Sequence, residues 1–258
     1  MSAQKRRSDS SKVQLLRREV HKQPAQNEYF TQQCTGGSTI NHKPTQTAKP
    51  LTIGVLALQG AYEAHAKTLT TLGATPKLVR TPNDLDGIDG LIMPGGESTT
   101  MLKFLDRHNF FDTLKTFVRH TPTFGTCAGA ILLAKNVEHP AQNSLAALDI
   151  TVQRNAYGRQ IDSTILTAET TLPGGPLEMV FIRAPRITRT GPQVEILATR
   201  EASVNQAASP VLVRQGQLLA ATFHPELSAD HRIHQLFLDI VRKHLAANAP
   251  SAASAQQS

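Results

Sequence analysis

The chain predicts an α/β fold, a three-layer sandwich around a mainly parallel central sheet with its site at the strands' C-terminal edge. Three observations predict it. Strand-like apolar runs alternate with helical patterns, the loops between them carry every candidate reactive residue, and one loop has the spacing of a nucleophile elbow. That loop is Phe124-Gly125-Thr126-Cys127-Ala128-Gly129. Glycines two residues either side of Cys127 permit the sharp strand-to-helix turn that projects a side chain from the sheet edge.

Taken in order, strand-like runs begin at Leu51, Lys77, Gly90, Thr123, Asp149, Thr164, Glu178, Gln193, Val211 and Leu218. Helical patterns occupy Tyr62 to Leu72, which stops at Gly73, the stretch after Ser98 with that serine as N-cap, and Ala130 to Lys135. A last helix covers Ala229 to Leu245, where Ile233, Leu236, Phe237, Ile240 and Val241 recur at helical spacing and predict core. His231 and His234 read as surface positions of that helix. Asp149 to Leu197 is richer in strands and is expected to add antiparallel pieces.

A chain of 258 residues buries a full core, but its basic character is uneven. The first 49 residues hold nine Lys/Arg against three acids, while the remainder holds 18 against 17. Of the net charge of +7, +6 therefore belongs to the tail, which argues against a nucleic-acid-binding core. The expected organisation is a basic extension over 1–49, a single catalytic domain over 50–247, and an Ala/Ser/Gln-rich flexible tail over 248–258. Composition favours a disordered extension or translated sequence upstream of the real start, with a presequence or an interaction arm as the other readings. No segment approaches a transmembrane span, so no membrane partner is expected. The only cysteines are Cys34 and Cys127, and a disulfide between them would disable the elbow thiol. A reducing, cytoplasmic setting is therefore expected. No Cys/His cluster has metal-ligand spacing, and no lysine closes the glycine stretch as in a phosphate loop, so neither metal nor cofactor is expected.

Most cysteines are small buried hydrophobes, but the flanking glycines favour a nucleophile at Cys127, its thiolate stabilised by unpaired N–H groups at a helix start. A base lies 97 residues on, in Phe223-His224-Pro225-Glu226-Leu227. His224 falls at a strand end, and in an extended segment Glu226, two residues later, points the same way and reaches the far imidazole nitrogen. Imidazole takes the thiol proton while a carboxylate holds its tautomer. A third stretch, Pro94-Gly95-Gly96-Glu97-Ser98-Thr99, runs from a strand into two glycines whose N–H groups suit a developing oxyanion. Glu97 and Ser98 are candidates for a substrate's amino or carboxylate groups.

Elbow cysteine and His-x-Glu together resemble the class I, triad-type glutamine amidotransferase family. Four further strings narrow the resemblance: Gly54-Val55-Leu56-Ala57-Leu58-Gln59-Gly60, the glycine-pair string, Arg154-Asn155-Ala156-Tyr157-Gly158-Arg159-Gln160-Ile161-Asp162-Ser163, and Phe181-Ile182-Arg183-Ala184-Pro185. With the His-Pro-Glu string they resemble glutaminase subunits of pyridoxal 5′-phosphate synthase, over roughly residues 51 to 246. The resemblance implies that Cys127 is the nucleophile, His224 the general base then acid, and Glu226 the orienting carboxylate. It implies L-glutamine contacts from Gly96, Glu97, Ser98, Arg154, Ile182 and Arg183. It also implies a separate synthase subunit as partner, ammonia passed inside the complex, and weak activity of the free glutaminase until docking organises its oxyanion hole. Three rivals remain open: a glutaminase serving another biosynthetic partner, a cysteine peptidase or chaperone of the same architecture, and a regulatory subunit without turnover.

Overall fold

Thr52–Leu56 (β1), Thr75–Val79 (β2), Gly90–Met93 (β3), Thr123–Thr126 (β4) and Leu218–Ala221 (β12) form the parallel heart of a seven-stranded sheet. Glu195–Arg200 (β10) and Ser209–Gln215 (β11) extend it antiparallel, giving the order β10-β11-β12-β4-β3-β1-β2. This computed structural model describes residues 49–154, 163–202 and 207–249. The expected extension, most of the C-terminal tail and Asn155 to Asp162 lie outside the described residues.

The central strands read as near-continuous apolar runs because both faces are covered. Along β3, Leu91 and Met93 enter one core while Ile92 enters the other, and along β12 Leu218 and Ala220 alternate with Leu219 and Ala221. The first core is closed by helices Ser98–Leu105 (α2), Phe110–His120 (α3) and Ala128–Leu133 (α4) through Met101, Leu105, Leu114, Val118 and Leu132. The second is closed by Tyr62–Thr71 (α1) and Arg232–Asn248 (α5) through Leu69, Ile233, Phe237, Ile240 and Val241. The expected three layers are present. Helix α1 ends where expected: Gly73 adopts φ 77°, and the Ala74 N–H returns to the Leu69 carbonyl at 3.0 Å.

Strands Ala134–Glu138 (β5), Leu148–Gln153 (β6) and Arg186–Thr190 (β9) make a separate three-stranded sheet, and Ser163–Ala168 (β7) pairs antiparallel with Leu177–Ile182 (β8). The β6–β9 and β7–β8 pairs are the antiparallel pieces expected between Asp149 and Leu197, whereas β5 precedes that stretch and pairs parallel with β6. Three expectations are corrected. The helix after Cys127 ends at Leu133, because Ala134 leaves helical geometry at ψ 144° and starts β5. Helix α3 is unannounced in the sequence because it starts from Asn109 in the left-handed region, with no side-chain cap. His234 is no surface position: it is 0% exposed.

Candidate active site

Cys127 sits between β4 and α4 at φ 47°, ψ −102°, a strained conformation for a residue with a side chain. The flanking glycines are needed for space. A Cβ on Gly125 would stand 2.6 Å from the Gly129 carbonyl oxygen, and one on Gly129 would stand 2.0 Å from that of Met93. Neither position admits a side chain while α4 lies this close to β3 and β4. The Cys127 N–H donates to the Ala221 carbonyl at 2.9 Å, which ties the elbow to β12.

That tie brings in His224. Ala221 pairs with Thr126, so a few residues beyond each strand end place His224 beside Cys127. The His224 N–H donates to the Val180 carbonyl at 2.8 Å, anchoring the segment to β8 as well. His224 Nδ1 lies 2.7 Å from Glu226 Oε1. The pairing is as expected, but its local geometry differs: Pro225–Leu227 is a 3₁₀ turn capped by His224, not an extended segment. Burial opposes charge on His224, yet its hydrogen bonds with Cys127 and Glu226 outweigh burial and raise it to about 10. Burial likewise opposes charge on Glu226, and the hydrogen bond from His224 leads the effects that hold the carboxyl below its ordinary value. The imidazolium and the carboxylate stabilise one another.

A cavity of about 340 Å³ opens over this pair, lined by Gly96, Glu97, Ser98, Arg154, Ile182 and Arg183 as well as Cys127 and His224. Every residue expected to touch substrate therefore reaches one space. A larger hollow of about 990 Å³, bordered by Met179, Phe181 and Leu197, holds none of them. Met93 pairs with Gly125, which carries the following glycines over the elbow, and a Cβ on Gly95 would stand 2.4 Å from His224 Cε1 and 3.2 Å from Cys127 Cβ. Gln59 Nε2 donates to the Glu97 carbonyl at 2.5 Å and fixes this turn from the end of β1.

Glu97, not Ser98, caps α2. Its carboxylate accepts from Thr99 N at 3.1 Å and Thr100 N at 2.7 Å, and both threonine hydroxyls donate to it. Burial opposes its charge, but these donors hold it at about 2. Arg154 Nη2 stands 3.5 Å from Glu97 Oε1, and the Ser98 hydroxyl donates to Gln142 Oε1 at 3.0 Å. The cavity mouth thus holds a fixed anion and a mostly buried guanidinium side by side.

Sequence comparison bears on the same span. The model of the SNO glutamine amidotransferase family matches residues 55–243. The chain belongs to this family. It is 60% identical over 190 residues to the pyridoxal 5′-phosphate synthase subunit PdxT of Koribacter versatilis, covering 74% of this chain and 95% of that one. It is 50% identical over 192 residues to the PdxT of Solibacter usitatus, covering 72% and 97%. A crystal structure of a glutamine amidotransferase superposes with a TM-score of 0.67 at 44% identity, over 74% of this chain and 98% of that one. The α/β fold with a mainly parallel sheet is thus shared with a glutamine amidotransferase.

In this member of the SNO family the carboxylate has a second neighbour that sequence reasoning missed. Glu226 Oε2 lies 3.3 Å from His65 Nε2, both side chains being fully buried. His65 Nδ1 lies 2.9 Å from His234 Nε2, and His65 Nε2 lies 3.2 Å from Thr126 Oγ1. Burial lowers His65 to about 4 despite the adjacent Glu226, and it holds His234 well below its ordinary value. A lone histidine in an otherwise ordinary helix carries no spacing signal. Only the fold brings α1 and α5 together behind Cys127, His224 and Glu226. Among the described residues no His/Cys/Asp/Glu group is arranged to hold a metal ion, and no helix is long and apolar enough to cross a membrane.

Proposed function

We propose that this chain hydrolyses L-glutamine to L-glutamate and ammonia through a thioester on Cys127, and that the ammonia passes to the synthase subunit of a pyridoxal 5′-phosphate synthase. The observation that carries the chemistry is the convergence of Cys127, His224 and the Glu97–Arg154 pair on one cavity of amino-acid size. The partner is supported by relatives at 60% and 50% identity that are subunits of that synthase.

Each step has a group in place. The Cys127 thiolate attacks the carboxamide carbon and charge moves onto its oxygen. The Cys127 N–H is committed to Ala221, so donors to that oxygen come from Ala128 and from the Gly95–Gly96 turn. His224, its Nδ1 side held by Glu226, presents Nε2–H to the amide nitrogen; the C–N bond breaks, ammonia leaves and the acyl group stays on sulfur. Neutral His224 then takes a proton from water as the water oxygen attacks the thioester carbon. Collapse expels the thiolate and releases glutamate, and the imidazolium is restored. Glu226 stays ionised throughout. Arg154 receives the α-carboxylate, Glu97 Oε1 faces the ammonium, and the Ile182–Arg183 main chain with Gly96 and Ser98 closes around the rest. The catalytic domain spans residues 50–247, and the thiol chemistry requires a reducing cytoplasmic setting.

The test is glutamate release by the full chain with and without the synthase subunit, beside Cys127→Ala and a peptide-cleavage arm. Turnover is expected with the partner, little without it, and background only for C127A with the fold intact. Undiminished release by C127A rejects the nucleophile. Peptide cleavage without glutamine turnover rejects the substrate.

A further inference from the structure

We propose that His65, held in one tautomer by His234, is a positioning residue that keeps Glu226 aimed at His224; its effect on turnover, though not on thiol reactivity, rests on the glutaminase reading. Glu226 spends Oε1 on His224 Nδ1 at 2.7 Å. Oε2 is buried, makes no hydrogen bond of normal geometry, and has His65 Nε2 3.3 Å away. A buried carboxylate oxygen without a donor is costly, so an N–H at His65 Nε2 is the natural occupant of that contact.

The neighbouring imidazole decides where the hydrogen sits. His65 Nδ1 and His234 Nε2 are 2.9 Å apart, so one donates and the other accepts. If His65 Nδ1 donated, neutral His65 would turn a lone pair toward Glu226, which is repulsive. If His234 Nε2–H donates, His65 Nε2 carries the hydrogen, which lies between Thr126 Oγ1 at 3.2 Å and the carboxylate oxygen at 3.3 Å. The far atom agrees: His234 Nδ1 is buried without a partner, and an orphaned acceptor is better tolerated than an orphaned N–H. The rings are also braced. Phe124 packs edge-on against both, at 87° to His65 and 83° to His234, and Thr126 Oγ1 stands 3.2 Å from His65 Nε2. Neither histidine lines the substrate cavity; His65 touches Glu226 and also Thr126 beside Cys127, and a Glu226→Ala background separates the two routes.

The rate at which iodoacetamide alkylates Cys127, followed against pH and read by mass on the Cys127 peptide, tests this without glutamine. Asparagine at 65 keeps a polar atom near Nδ1 but falls short of Glu226, whereas the glutamine amide reaches the place of Nε2. His65→Asn is expected to move the onset of alkylation about one pH unit upward, since the ion pair loses a hydrogen bond to its carboxylate. With the synthase subunit present, it is expected to lower kcat about 10- to 100-fold, as for loss of an outer partner of a positioned ligand, with KM little changed. His65→Gln is expected to recover most of both. In a Glu226→Ala background H65N should add almost nothing. An H65N profile that coincides with wild type, or an equal shift when Glu226 is already alanine, overturns the proposal. Should H65N not fold, His234→Leu is read instead, with a smaller upward shift expected and no shift refuting it. Wild-type chain that alkylates normally yet releases no glutamate would sink the glutaminase reading alone.

Discussion

Gly129 shows how little room the elbow leaves. Its Cα faces the Met93 carbonyl so closely that Gly129→Ala must push α4 away from β3, and overpacking of this kind costs about 3 kcal/mol or more. A chemical denaturation midpoint well below wild type, with the thiol more slowly alkylated, is the expected result; an unchanged midpoint would show that the layers yield freely. The glycine spacing made Cys127 legible, and the short His-x-Glu interval did the same for its partners. The residues behind them were not legible, because His65 and His234 lie 169 positions apart and meet only in three dimensions.

Helix α2 and the cavity mouth share one side chain. Glu97 caps the helix with its carboxylate and faces Arg154 across the cavity, so Glu97→Ala removes a helix cap and, on the proposed reading, a recognition group together. The cap loss is expected to cost about 1 kcal/mol in denaturation, and the KM for glutamine should rise more than kcat falls. Equal effects on both constants would place Glu97 outside recognition. Ser98 looked like the cap in the sequence because serine is the commoner choice, but helical geometry begins one residue earlier, at Ser98 itself, with Glu97 as the extended residue before it. Elements with strong edges were legible: β1, β3, β4, β12 and the core stripe of α5. Those that begin or end by tertiary demand, β5, β9 and α3, left no local mark.

Over the whole molecule, burial of titratable groups sets the response to pH. In the folded chain His65 titrates at about 4 and His234 well below 6.5, so between those values and 6.5 the unfolded chain binds protons that the native one refuses. Stability therefore falls as pH drops below 6.5, by about 1.4 kcal/mol per pH unit for each histidine. Below 4.5 the lowered Glu226 adds to the loss. On the other side His224, raised to about 10, contributes stability that is complete below 6.5 and drains away as pH climbs through 10. Urea midpoints across pH are expected to peak near 6.5, and a flat profile from 4 to 6.5 would mean that the buried imidazoles take up protons freely.

Cys127 and His224 hang from adjacent strands of one sheet, with the whole detour from β5 to β11 lying between them in the chain. Their separation is consequently inherited from strand spacing, not from contour length. Lengthening a turn on that detour should leave the pair aligned, whereas deleting a single residue within β12 would swing the imidazole to the opposite face and silence the thiol.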